Sequence, residues 1–183
     1  MRKEMIMQDP NANAAMIIVL AHGTLFILAM SVVMTDLKKS CIYNWQTYGA
    51  AILGLGLNFW GGGWQGLLSS VSGLAVGFAL LFVFYLFGGF GAGDVKFLAA
   101  IGALEGVEFV LWTMVYSALI GGIMAFAVMI WKGIFWDTIK RCLYLMRHPF
   151  QARNDLKKSP QILLPYGLAI SVGCCWALFA LQI

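Results

Sequence analysis

Charge is what this chain has least of. Only 11% of its 183 residues are Asp, Glu, Lys or Arg, whereas 61% are hydrophobic. A soluble domain of that length needs a far more charged surface, so a soluble globular fold is excluded. Cysteine is also scarce: Cys41, Cys142, Cys174 and Cys175 show no C-x-x-C spacing. That argues against a zinc site and against a disulfide framework. Cys174 and Cys175 lie inside an apolar run, where cysteine acts as a small hydrophobe. No basic stripe with interleaved aromatics is present, and the lysines and arginines flank hydrophobic runs, so nucleic acid is not an expected partner.

What the chain has in abundance is long apolar runs. They predict an all-α membrane protein: one membrane-embedded domain over residues 1–183, a bundle of about six transmembrane helices. The expected spans are about Ala14–Met34, Trp45–Trp60, Leu67–Phe87, Val95–Leu104, Phe109–Trp131 and Ile162–Leu181. The first is too long for a signal-peptide core and reads as a retained helix. Gly61–Gly63 is the expected turn between spans two and three. Span four is too short to cross alone and is expected to start in the glycine stretch before it or to be partly re-entrant. His22, the one ionisable residue of span one, is expected to face a neighbouring helix, with a proton relay as the alternative role. Between Lys132 and Pro160, Phe135, Ile139, Leu143 and Met146 recur at helical spacing opposite Asp137, Lys140, Arg141 and Arg147, the pattern of a basic helix on the membrane surface.

Alternate loops are basic. Lys38 and Lys39 follow span one and Lys96 follows span three. Span five is followed by Lys132, Lys140, Arg141, Arg147, Arg153, Lys157 and Lys158. The positive-inside rule puts these loops in the cytoplasm and the N-terminus outside, against the weak opposing signal of Arg2 and Lys3.

The stretch Gly88–Lys96 stands out. Between Thr47 and Leu104 the only charged residues are its Asp94 and Lys96. A charge at a helix centre costs about 2.5–3.5 kcal/mol on insertion scales, so an acid in this setting is by default functional. Asp36, at the end of span one, falls on the same side as Asp94 in the six-span topology. Two carboxylates held close share one proton; the charged one can take a proton from water while the protonated one polarises a carbonyl. That chemistry needs no metal and no cofactor. The competing structural roles are plain: Asp36 paired with Lys38 or Lys39, and Asp94 capping a helix that begins at Val95. The glycine pattern is also a weak echo of phosphate-binding loops, without the strand or downstream acid such loops require.

Gly91-Ala92-Gly93-Asp94, followed by Lys96, resembles the G-x-G-D motif of the type IV prepilin peptidases, with Ala99, Gly102 and Gly106 fitting the run beyond it. In that family the first aspartate leads into Ile-Pro-Asn; here Asp36 precedes Ile42-Tyr43-Asn44, with tyrosine in place of proline. Pro165-Tyr166-Gly167 also resembles the family's last segment.

The resemblance implies an aspartic endopeptidase with Asp36 and Asp94 catalytic, no cofactor, and Gly91, Gly93 and Lys96 shaping the loop or binding substrate. It implies a prepilin or pseudopilin precursor as substrate, cleaved at the cytoplasmic face of a bacterial inner membrane. Larger members carry an N-terminal cytoplasmic domain with paired cysteines and methylate the product. Span one begins early here, so the chain resembles the short peptidase-only type of Flp or Tad pili, with no methylation expected. The rivals are a non-catalytic scaffold of a pilus or secretion machine, which tolerates asparagine at both aspartates, and an ion carrier, which needs ionisable residues across the bilayer depth.

Overall fold

A computed structural model of the protein describes residues 10–39, 41–86, 89–133, 135–136, 140 and 166–181. Among them the backbone forms five helices and no strand: α1 (Pro10–Lys39), α2 (Asn44–Leu86), α3 (Ala92–Glu105), α4 (Val107–Trp131) and α5 (Tyr166–Leu181). Three stretches, Met16–Lys39, Asn44–Leu86 and Val107–Trp131, are long and apolar enough to cross a membrane. The surface helix expected between Lys132 and Pro160 lies outside the described residues except for Lys132, Gly133, Phe135, Trp136 and Lys140, as do the N-terminal charges and the expected start of the last span.

The distribution of side chains is that of a bundle in lipid. Large apolar residues such as Ile27, Ile123 and Phe179 point outward, while Thr47, Ser70, Thr113, Ser117 and Ser171 are buried. With lipid outside, apolar burial gives little drive to associate, and close packing with interhelical hydrogen bonds takes its place. This is an all-α membrane protein.

α2 has 43 residues, which as a straight rod would be about 65 Å long, twice the thickness of a bilayer core. It is instead a hairpin. Asn58 Nδ2 donates to the carbonyls of Ala103 (3.2 Å) and Leu104 (3.0 Å), and Ser70 Oγ donates to the same Ala103 carbonyl. A chain that brings residues 58 and 70 to one oxygen has doubled back between them. The reversal is at Gly63, whose φ of 55° and ψ of −135° are the one non-helical pair in the element. A side chain there would be strained, which is why glycine holds the position. The expected three-glycine turn is thus a single residue, with Gly61 and Gly62 still helical. Each limb, 44–62 and 64–86, is roughly 30 Å long, the thickness of the hydrocarbon core.

α3, the shortest helix at 14 residues, is the centre of the bundle, and every residue from Phe97 to Leu104 is buried. The two limbs of α2 close around it because the facing residues are small. Gly73 and Gly102 approach so closely that a Cβ on either would run into the other's carbonyl oxygen. At about 21 Å, α3 does not cross a bilayer by itself. A single residue, Gly106 at φ 87°, links it to α4.

α5 runs antiparallel to both α1 and α4. Ser171 Oγ donates to the Ala29 carbonyl (3.3 Å), and Asp36 lies at Gly167. On the other side Gly173 meets Ser117, and the Tyr166 hydroxyl lies against Gly121. The end of α1, the start of α2, the start of α3 and the start of α5 therefore come together at one end of the bundle.

Candidate active site

Asp36 sits in the last turn of α1 and is 6% exposed. Its carboxyl packs on the first turn of α5, where a Cβ at Gly167 would fall 2.8 Å from Oδ2. The amide N–H groups of Gly167 and Leu168 face it, yet Oδ2 has no hydrogen-bond partner among the described residues. A buried polar oxygen without a partner is costly, and such positions cluster where chemistry is done. Neither Lys38 nor Lys39 pairs with it among the described residues; Lys39 Nζ bonds the Tyr43 hydroxyl at 2.8 Å.

Asp94 lies in the first turn of α3. The helix starts at Ala92, three residues earlier than the capping alternative requires, and Gly91 is the cap. Asp94 is instead the third helical residue, where its Oδ2 accepts the Gly91 N–H at 3.1 Å. That bond satisfies one of the free amides at the helix start and fixes the side chain's direction. Gly91 has extended backbone (φ −78°, ψ 149°), which any residue can adopt. Its missing side chain provides room, since a Cβ there would lie 3.2 Å from Asp94 Oδ2. Burial pushes the Asp94 carboxyl up to about 6; the Gly91 N–H opposes the shift and the charge of nearby Asp36 adds to it.

Tyr166 and Gly167 bring the two acids into one neighbourhood. Gly167 touches Asp36, and the Tyr166 hydroxyl feels the charge of Asp94. The Tyr166 ring stands edge-on to Phe90 at 4.4 Å between centroids. Beside them is a mainly apolar cavity of about 170 Å³ whose lining includes Leu81, Phe84, Phe90, Leu98, Met114 and Tyr166, with Ser117 at its wall. The sequence pointed to Tyr166 only as part of Pro165-Tyr166-Gly167, the segment resembling the family's last one, and gave it no role.

Lys96 forms no ion pair with either acid among the described residues. Its Nζ donates to Asn44 Oδ1 at 2.9 Å and lies 5.2 Å from the centre of the Tyr48 ring. Gly93 packs on Ile42, with a Cβ there 3.0 Å from the Ile42 Cβ. The two sequence segments singled out, Ile42–Asn44 and Gly91–Lys96, thus dock directly on each other. Among the described residues His, Cys, Asp and Glu side chains do not gather in threes, so no metal cluster can be assigned.

Fold and site together define an all-helical membrane protein with two acids, one from α1 and one from α3, directed to the start of α5. The model of the type IV leader peptidase family matches residues 23–126, more than half of the chain, and the chain belongs to that family. The matched stretch contains both Asp36 and Asp94 and ends within α4. No curated protein and no solved structure matches. Membership makes the chain a peptidase of the membrane.

Proposed function

We propose that this peptidase removes the leader from a prepilin-type precursor by aspartic chemistry, with Asp36 and Asp94 sharing one water. The observation that carries this is the convergence at the start of α5. Asp36 lies there with a partnerless oxygen, and Asp94 is close enough to feel its charge. In the reaction Asp36 is the ionised member and takes a proton from the water as its oxygen attacks the scissile carbonyl carbon. Asp94, the member that keeps its proton, donates it to the carbonyl oxygen. Collapse of the tetrahedral intermediate breaks the C–N bond: the proton held by Asp36 passes to the departing amine, and one hydroxyl of the intermediate returns its proton to Asp94 as the carboxyl product forms.

Gly91 and Gly93 leave space for the Asp94 carboxyl and for the Ile42 segment, so a substrate backbone can approach. Lys96 steadies the loop by holding Asn44. The apolar cavity beside Tyr166 takes a hydrophobic side chain of the precursor, whose apolar helix lies along the spans. With the N-terminus outside, as the charge pattern of the sequence suggests, the acids lie at the cytoplasmic face, and Lys38, Lys39 and Lys96 at the helix ends around them follow the positive-inside rule. The assignment to Flp or Tad pili and to a bacterial inner membrane rests on the sequence resemblance.

The test uses the full chain in lipid nanodiscs with precursor pilins, and product masses as the readout. Asp36→Asn and Asp94→Asn are each expected to lower turnover by roughly 10³-fold or more, with helical content unchanged. Leader removal at the parental rate by either variant refutes the mechanism and favours a scaffold.

A further inference from the structure

The proposed reaction makes no use of a second polar contact, at the far end of the bundle. His22 Nε2 lies 3.4 Å from Glu105 Oε2, and the two side chains are 21% and 8% exposed. Neither His22 Nε2 nor Glu105 Oε1 has a hydrogen-bond partner among the described residues. Cys174 on α5 is another ionisable group close to Glu105, and a thiol is a weak hydrogen bonder. A buried acid and a part-buried base with so few alternatives hold to each other, because separating them leaves a polar group facing hydrocarbon.

The location of the contact gives it a use. α1 carries both His22 and Asp36; α3 carries both Glu105 and Asp94. The helices run in opposite directions, with the acids at one end and the His22–Glu105 contact at the other. Along α1 the separation is roughly 21 Å, and along α3 roughly 16 Å. Elsewhere α1 packs chiefly on α2 and α5, and α3 chiefly on α2, so the two acid-bearing helices touch each other lightly. A slide of α3 against α1 would separate the carboxyls, and a fixed point between the two helices opposes it.

We propose that His22 and Glu105 are positioning residues whose contact sets the register of α3 against α1, and so the spacing of Asp36 and Asp94. This rests on the catalytic role given above to the two acids. A pair that contributed stability alone would be replaceable by apolar residues of similar volume, which is often neutral. A pair that sets register is not replaceable in this way.

The experiment places spin labels at Leu37→Cys and Ala92→Cys, both exposed positions at the site end, with the native cysteines changed to serine, and measures the distance distribution between them in nanodiscs. The otherwise unchanged chain is expected to give one narrow distance. Glu105→Gln, and the double variant His22→Leu/Glu105→Leu that keeps folding testable, are expected to broaden or shift it. In a cleavage assay kcat is expected to fall about tenfold or more while KM moves less than about twofold. The exchanged pair His22→Glu/Glu105→His is expected to restore both readouts. An unchanged narrow distance with parental kcat in the Glu105 variants overturns the proposal. If the parent cleaves no precursor, the aspartic mechanism fails, and the distance measurement still decides whether the contact sets the register.

Discussion

The two ends of α3 carry the same chemical group in opposite settings. At the start, Asp94 is half-buried, held by the Gly91 amide and close to a second acid, Asp36. At the end, Glu105 is largely buried as well, but faces the imidazole of His22. Like groups brought together repel when both are charged, so the first arrangement stores unfavourable free energy that a reaction can use. Unlike groups brought together attract, so the second holds two helices in place. One helix, 14 residues long, thus joins a strained end to an anchored one, and its close-packed middle makes both ends move together.

The comparison is broken most directly by stability measurements in detergent. His22→Leu leaves the Glu105 carboxyl without its partner and is expected to cost about 1–3 kcal/mol, the usual penalty for leaving a buried polar group unpaired. Asp94→Asn removes a group that resists ionisation and is expected to leave stability unchanged or raise it. A larger loss from Asp94→Asn than from His22→Leu would invert the assignment of the two ends.

A smaller effect is expected from pH. The Asp94 carboxyl titrates at about 6 in the folded protein, against an ordinary value near 3.8. Between those values the folded state binds more protons than the unfolded state, so stability declines as pH rises through the window. Turnover is expected to fall above about pH 6 as Asp94 loses the proton it donates, approaching tenfold per pH unit. The decline in stability should flatten in Asp94→Asn, which rate and unfolding measurements across pH 4–8 would reveal. The smallest effect belongs to the lipid-facing surface. Phe179, 82% exposed on α5, is expected to tolerate alanine within about 0.5 kcal/mol and with parental turnover, which serves as the control for both ends.

Much of this was legible without coordinates, for identifiable reasons. A charge inside an apolar chain is conspicuous because hydrocarbon penalises it, so Asp94 stood out unaided, and Asp36 followed from its place at the end of an apolar run. The motif around Asp94 led to the family. The hairpin of α2 was visible in its glycines, although the reversal needs just Gly63. The helix start was misjudged in the capping alternative, because a G-x-G-D run gives no local sign that Gly91 is the cap and Asp94 the third helical residue. Lys96 invited a role in shaping the loop or binding substrate, and no local signal points to its partner Asn44, which lies far back in the chain. Nothing in the sequence marked Tyr166 and Gly167 as the pair lying between the two acids, since an interfacial tyrosine is common.

The sequence alone determined that the chain lives in a bilayer as helices and which acids stand where hydrocarbon would reject them, because both follow from transfer free energies that each residue carries with it. Which helix became the buried centre, which carboxyl received another acid and which received a histidine, and that Gly167 clears the space for Asp36 were decided by the tertiary structure. Those outcomes depend on how closely backbones pack, and close approach is a property of pairs of surfaces that no single stretch of chain contains.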